Sequence, residues 1–340
     1  MLLRSWLVRI LIIAASMAVI GCTFSKLEGD LEQLDAIAHV FDGTLAAEDL
    51  LSESVVIVAM HDADGAGVSS FDLMYGSGPF EMRLNPKPTW FFAFNDLNKD
   101  LAFQADEPYA WAADGQPVEP DGEPPIIMLA QTSSGELPAQ LVNKALIQNF
   151  NDRLSFAIGT VSSLDNPLFS EEQSSKGLWQ PFAFMADGGA GIHFMEPYDA
   201  SRTPVLFVHG ILGSPRNFET LIENLDTAKY QAWVYTYPSG LRLDLLADGM
   251  AEFLEILHRQ LRFDEMHVVA HSMGGLVSRG GLNRCQQAGA CSYLRTYTTI
   301  STPWSGVQSA QSGVTWAPTV VPVWRDLDPT SDYLATLFET

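Results

Sequence analysis

Two hydropathic rhythms divide the chain. From residue 203 onward, short apolar runs alternate with stretches whose apolar residues recur every three or four positions. The runs Pro204–Val208, Ala232–Thr236, Met266–Ala270 and Tyr297–Ser301 predict buried strands. Between them, Asn217–Leu225, Leu243–Leu261 and Leu276–Cys285 predict helices, and the longest carries an apolar stripe at Leu246, Met250, Phe253, Leu254 and Leu257. Strands alternating with helices predict βαβ units around a parallel sheet. Upstream the rhythm is shorter. Val55–Ala59, Phe80–Leu84 and Trp90–Phe94 predict strands, with Tyr109–Ala112 and Ile126–Leu129 as further ones. Turn clusters at Gly76–Pro79 and Asn85–Pro88 separate them, which predicts a small antiparallel β-sandwich. Residues 25–50 predict an amphipathic helix through Leu27, Leu31, Leu34, Ile37, Ala38 and Phe41, and Leu137–Asn151 a helix or helical hairpin. The expected organisation is a targeting segment over 1–21, a helical spacer over 22–53, a β-domain over 54–165, a Gly-, Pro- and aromatic-rich connector over 166–202, and an α/β domain over 203–340.

The chemistry concentrates where the Met266–Ala270 run stops. Ala270-His-Ser-Met-Gly274 has the small-x-Ser-x-Gly spacing of a nucleophile elbow, a strained strand-to-helix turn that lifts a serine hydroxyl clear of the sheet. Small residues at 270 and 274 let strand and helix backbones nearly touch. Ser272 would stand at a helix N-terminus, where backbone N–H groups can meet an oxyanion. The competing reading is a serine in an ordinary βα turn. A glycine-bearing loop, His209-Gly-Ile-Leu-Gly-Ser214, follows the first strand and would lie at the same carboxyl edge of the sheet.

Val208-His-Gly-Ile211, Ala270-His-Ser-Met-Gly-Gly275 and Ile300-Ser-Thr-Pro-Trp304 together resemble the α/β-hydrolase superfamily in its lipase-like branch. The resemblance covers 203–340. It implies that Ser272 is a nucleophile toward carboxylic esters, that the backbone N–H groups of Met273 and Ile211 form an oxyanion hole, and that His209 shapes the loop. It implies no cofactor. In that superfamily the acid and the histidine follow the nucleophile. Here the seven histidines are His39, His61, His193, His209, His258, His267 and His271, and none follows Ser272. Asp326, Asp328 and Asp332 fall in an expected turn and helix start, where Asp332 would serve as a cap. The expectation is an incomplete hydrolase domain, a fragment without acid and histidine that turns over very slowly. The alternative is a surface lipoprotein with an inactive hydrolase half, used for binding or scaffolding.

The remaining features narrow the setting. Arg4 and Arg9 precede the apolar stretch Ile10–Ile20, and Val19-Ile20-Gly21-Cys22 resembles a bacterial lipobox, which implies a lipidated Cys22 on an exported, membrane-anchored protein at the periplasmic face or outer membrane. A plain secretory signal or an uncleaved anchor, with an incidental Cys22, is the competing reading. Net charge is −22, with 41 acidic against 19 basic residues, which excludes a nucleic-acid partner and charge-driven binding to anionic lipid. The cysteines beyond Cys22 are Cys285 and Cys291; in an oxidising compartment they predict a disulfide, with free thiols or a metal pair as alternatives. Asp96, Asn98, Asp100 and Glu107 match positions 1, 3, 5 and 12 of a calcium loop, in a segment that resembles a loop of transthyretin-like sandwich domains. Leu101 replaces the glycine that the calcium loop needs, so an Asx-rich hairpin turn is expected and no metal.

Overall fold

A computed structural model describes residues 23–36, 39–48, 55–74, 76–98, 100–144, 146, 156–287 and 289–339. The expected targeting segment lies outside them. The chain divides into two compact units. One contains Leu34–Ile158 with Leu254–Arg262; the other contains Gly159–Phe253, the residues from Phe263 onward and the chain before Leu34.

A helix over 23–36 (α1) opens the described chain. The helix expected over 25–50 does not continue: His39–Ala47 is a strand (β1). Phe41, Gly43 and Leu45 are buried while Asp42 and Thr44 are exposed, a period of two hidden among leucines that also fit a helical period. The strands that follow are β2 (Val55–Met60), β3 (Val68–Met74), β4 (Gly78–Leu84), β5 (Trp90–Asn95), β6 (Tyr109–Trp111) and β7 (Ile126–Leu129). They form two sheets, in the orders β4-β1-β7 and β3-β2-β5-β6. Every pairing is antiparallel except β1 with β7, which is parallel. One core lies between the sheets, where Phe41, Leu45 and Phe80 meet Val55, Ile57 and Phe91. The alternate residues Val56, Val58, Phe92 and Phe94 pack into a second cluster with Leu101, Phe103, Leu141 and Leu146. Burial on both faces explains why β2 reads as an unbroken apolar run.

The helix expected over Leu137–Asn151 is absent from its described part, where 139–143 is a turn. Backbone N–H groups there serve distant carbonyls, Gln140 to Asp64 and Asn143 to Phe103, and Asn143 has φ of 58°. Those partners deny the segment its internal helical ladder.

The other unit is built on a six-stranded sheet. Its strands are β8 (Phe156–Val161), β9 (Ala190–Phe194), β10 (Thr203–Val208), β11 (Tyr230–Thr236), β12 (Met266–His271) and β13 (Leu294–Ile300), in the order β13-β12-β10-β11-β9-β8. β10 to β13 are parallel, and β9 joins β11 antiparallel. The sheet therefore begins upstream of the expected start at 203. The supposed connector over 166–202 contains two helices, α2 (Glu171–Trp179) and α3 (Pro181–Ala186), and the strand β9. Its glycines and short apolar stretch disguised a strand of the sheet. The remaining helices are α4 (Glu219–Glu223), α5 (Leu243–Leu261), α6 (Met273–Gln287), α7 (Gln308–Trp316), α8 (Pro322–Leu327) and α9 (Asp332–Thr336). All five residues of the expected α5 stripe are buried. Cys285 and Cys291 are joined in a disulfide between α6 and β13.

Candidate active site

Ser272 occupies the junction between β12 and α6 with φ of 52°. That left-handed conformation costs a non-glycine residue of order 1–3 kcal/mol and persists only where the surroundings enforce it. They do so here. The Ser272 N–H donates to the Ile300 carbonyl at 2.8 Å, and its own carbonyl accepts from Gly275 N–H at 3.0 Å. The turn is compressed against the neighbouring strand. A Cβ on Gly274 would come within 2.3 Å of the His209 carbonyl oxygen and 2.4 Å of that of Val208. A Cβ on Gly275 would lie 2.0 Å from Thr302 Oγ1. Only glycine permits this approach of helix to strand end.

The loop after β10 arrives at the same place because Val208 and Ala270 are register partners in the parallel sheet. A Cβ on Gly210 would lie 2.8 Å from Ser272 Cβ and 3.3 Å from its Oγ, so the loop backbone presses on the serine. Leu212 has φ of 55°, and its N–H donates to Ser239 Oγ at 3.3 Å. Gly213 N–H donates to the Gly210 carbonyl, and Ser214 N–H to Asn217 Oδ1 at 2.8 Å. Among the described residues, the N–H groups of Ile211 and Met273 donate to no protein acceptor. Sequence reasoning named Ser272, Ile211 and Met273, and the fold brings their segments together at the carboxyl edge of the sheet.

His209 is buried and held away from proton transfer. Its Nδ1 is 2.8 Å from the Gly210 carbonyl oxygen, and its ring stacks on Tyr237 at 4.3 Å and 4°. Burial pushes it down to about 4, against a smaller upward pull from the Gly210 carbonyl, so it is neutral at pH 7. Tyr237 also donates its hydroxyl to the His209 carbonyl. Tyr237 and Ser239 thus shape the loop. His193 is buried without a hydrogen-bond partner among the described residues, and burial lowers it to about 4. No side chain among the described residues bonds the Ser272 hydroxyl.

The acids after Ser272 serve structure. Asp326 is 1% exposed; it receives two bonds of 2.8 Å from Arg242 Nε and one of 2.6 Å from Leu243 N–H, which caps α5. Asp328 accepts from Thr330 within a turn. The cap of α9 is Ser331 rather than Asp332, since the Ser331 side chain accepts from Leu334 N–H.

In the other unit, Asp96 and Glu107 are buried carboxylates spent on backbone N–H groups: Asp96 accepts from Asp100 and Leu101, and Glu107 from Leu97 and Gln104. Burial raises both, Glu107 to about 7.

The family model described as alpha/beta hydrolase fold matches residues 203–279, the span from β10 through the first half of α6. This part of the chain has the α/β-hydrolase fold. Solved structures with a similar chain path include the mature form of lipase BlEst2 from Bacillus licheniformis, 20% identical with a TM-score of 0.36, where the match covers 44% of this chain and 64% of that one. Lipase B from Aspergillus fumigatus is 17% identical with a TM-score of 0.36, over 45% of this chain and 38% of that one. The chain spans less than two thirds of the length of these structures. No curated protein matches the sequence.

Proposed function

We propose that the hydrolase unit acts on carboxylic esters through an acyl-enzyme on Ser272. The observation that carries this is the left-handed Ser272 between two amides, Ile211 and Met273, that donate to nothing else among the described residues. The Ser272 hydroxyl attacks the ester carbonyl, and the oxygen that becomes negative is received by those N–H groups, each contributing about 3–4 kcal/mol toward the transition state. Collapse expels the alcohol, and water then releases the acid. The substrate is an ester or lipid-like small molecule. No histidine follows Ser272, and His209 is neutral and turned to Gly210. A serine without a base is a weak nucleophile, so Ser272 with only the described side chains around it reacts slowly. General-base help contributes about 10²–10⁴-fold in such reactions. Lipidation of Cys22 would hold the protein on a membrane of an exported compartment.

A fluorophosphonate probe tests the reading. Expected is slow labelling confined to Ser272, absent in Ser272→Ala and accelerated by added imidazole acting as a diffusible base. Labelling that is unchanged in Ser272→Ala ends the proposal. Fast labelling without imidazole keeps the nucleophile and overturns the missing base.

A further inference from the structure

The hydrolase unit contains a long run of sequence without charged residues that packs back toward its N-terminal helix. From Thr296 to Trp324 the sequence has no acidic or basic residue, in a chain that is 18% charged with net charge −22. Within this stretch α7 ends on Trp316, which is 83% exposed, the most exposed of the large hydrophobic side chains among the described residues. Trp304, also in this stretch, packs on Phe338, itself 55% exposed. A large indole standing in water with no charged neighbour in sequence is the side chain that membrane interfaces favour, because its ring is apolar and its N–H is polar.

The inner face of α7 leads back to the start of the described chain. Gly313 lies against the Trp324 ring, so closely that a Cβ there would approach it to 2.7 Å. Trp324 meets Trp179 edge-on at 6.1 Å, and Trp179 meets Phe24 of α1 at 5.5 Å. Helix α1 is fastened to this unit. Leu27 is fully buried, and Asp30 accepts from the N–H groups of Phe182 and Ala183 at 2.7 and 3.1 Å. Residue 23, where α1 begins, directly follows Cys22. No tether separates the expected lipid attachment from the folded unit.

We infer that α7, with Trp316 at its tip, lies on the lipid bilayer to which Cys22 is attached. The inference rests on the lipoprotein reading of Cys22. A short attachment leaves the unit little freedom, so the face nearest Phe24 is the one presented to lipid. The acidic chain as a whole is repelled by anionic headgroups, whereas the stretch 296–324 brings no acidic residue to them. Insertion of aromatic side chains then adds apolar burial to the hold of the acyl chains. The stretch leaves β13 at its carboxyl end, the edge that carries Ser272, so the candidate site is held toward the membrane.

The full chain supplies its own test. Cys285 and Cys291 are bonded to each other, so Trp316→Cys introduces a reporter thiol once Cys22 is acylated. Lys229→Cys is the reference: its side chain is 71% exposed at the opposite, amino edge of the sheet, just before β11. Both proteins are placed in vesicles of phosphatidylethanolamine and phosphatidylglycerol and labelled with a charged, water-soluble maleimide. Their Cys22→Ser counterparts give each site's rate away from the membrane. Expected is labelling at 316 slowed about tenfold or more by the vesicle, because the thiol is withdrawn from water, with 229 unaffected. Equal rates at 316 on and off the vesicle, in protein whose mass shows acylated Cys22, overturn the docking face and leave the anchor standing. A mass without acyl chains overturns the anchor, and the docking inference falls with it.

Discussion

Gly274 offers the sharpest test of how the elbow is built. Replacing it with alanine adds one methyl group aimed at the Val208 and His209 carbonyl oxygens, 2.4 and 2.3 Å from the new carbon. Comfortable contact begins near 3.5 Å, so α6 and the end of β10 must separate by roughly 1 Å. Both obstacles are backbone atoms inside a sheet and its first loop, so no side chain can swing aside. Overpacking of this kind costs about 1–3 kcal/mol. For a chain of this size that is a fall in Tm of about 2–4 °C per kcal/mol, read by differential scanning calorimetry. The same shift moves Gly210 off Ser272 and spreads the Ile211 and Met273 amides, so Ser272 labelling should fall by more than the stability loss explains. Gly249→Ala is the internal control. Gly249 lies in the middle of α5, and its new Cβ would meet only Tyr235 Oη, at 3.4 Å. There the methyl group should stabilise by about 0.5–1 kcal/mol, because alanine loses less backbone entropy in a helix. A Gly274→Ala protein with unchanged Tm and unchanged labelling would refute the claim that the helix and strand ends touch.

Three further outcomes are expected. Arg242→Ala strips the buried Asp326 carboxylate of its ion pair and should cost about 3 kcal/mol in a urea titration while leaving Ser272 labelling intact, which separates Asp326 from any catalytic role. Reduction of the Cys285–Cys291 bond, or Cys→Ser at both positions, should cost about 2 kcal/mol for so short a loop, seen as a lower Tm in dithiothreitol; an unchanged Tm would mean that the bond stabilises nothing. Glu107 keeps its proton to about pH 7 in the fold and loses it near 4.5 when unfolded, so the native state binds more protons in that window. Its contribution is full below about pH 4.5 and declines by about 3 kcal/mol as pH rises to about 7. The urea midpoint should fall over that range in the wild type and stay flatter in Glu107→Gln.

Much of the fold was legible because burial writes itself into periodicity. The α5 stripe was readable residue by residue, and β2, β5 and β10 announced themselves as apolar runs. β1 was misread because Phe41 stands at a helical spacing from Leu34 and Ile37 as well as in strand alternation with Gly43 and Leu45. β9 was missed because a five-residue strand interrupted by Gly191 and His193 carries too few apolar residues to stand out. At the site, Ser272 was evident from small residues at fixed spacing. Tyr237, Ser239 and Asp326 were not, since each acts through a partner distant in sequence: His209, Leu212 and Arg242.

The sequence by itself determined that a serine ends a buried strand and begins a helix, that a glycine loop follows an earlier strand, and that a β-rich segment precedes them. Those are local matters of backbone preference and hydrophobic period, which neighbouring residues settle. Only the tertiary structure decided that the glycine loop presses on the serine, that His209 is stacked and neutral, that Asp326 caps a helix, and that α1 is joined through Trp179 and Trp324 to α7. These depend on which strands lie side by side and which helix ends meet, and a linear pattern holds no distance between segments that far apart.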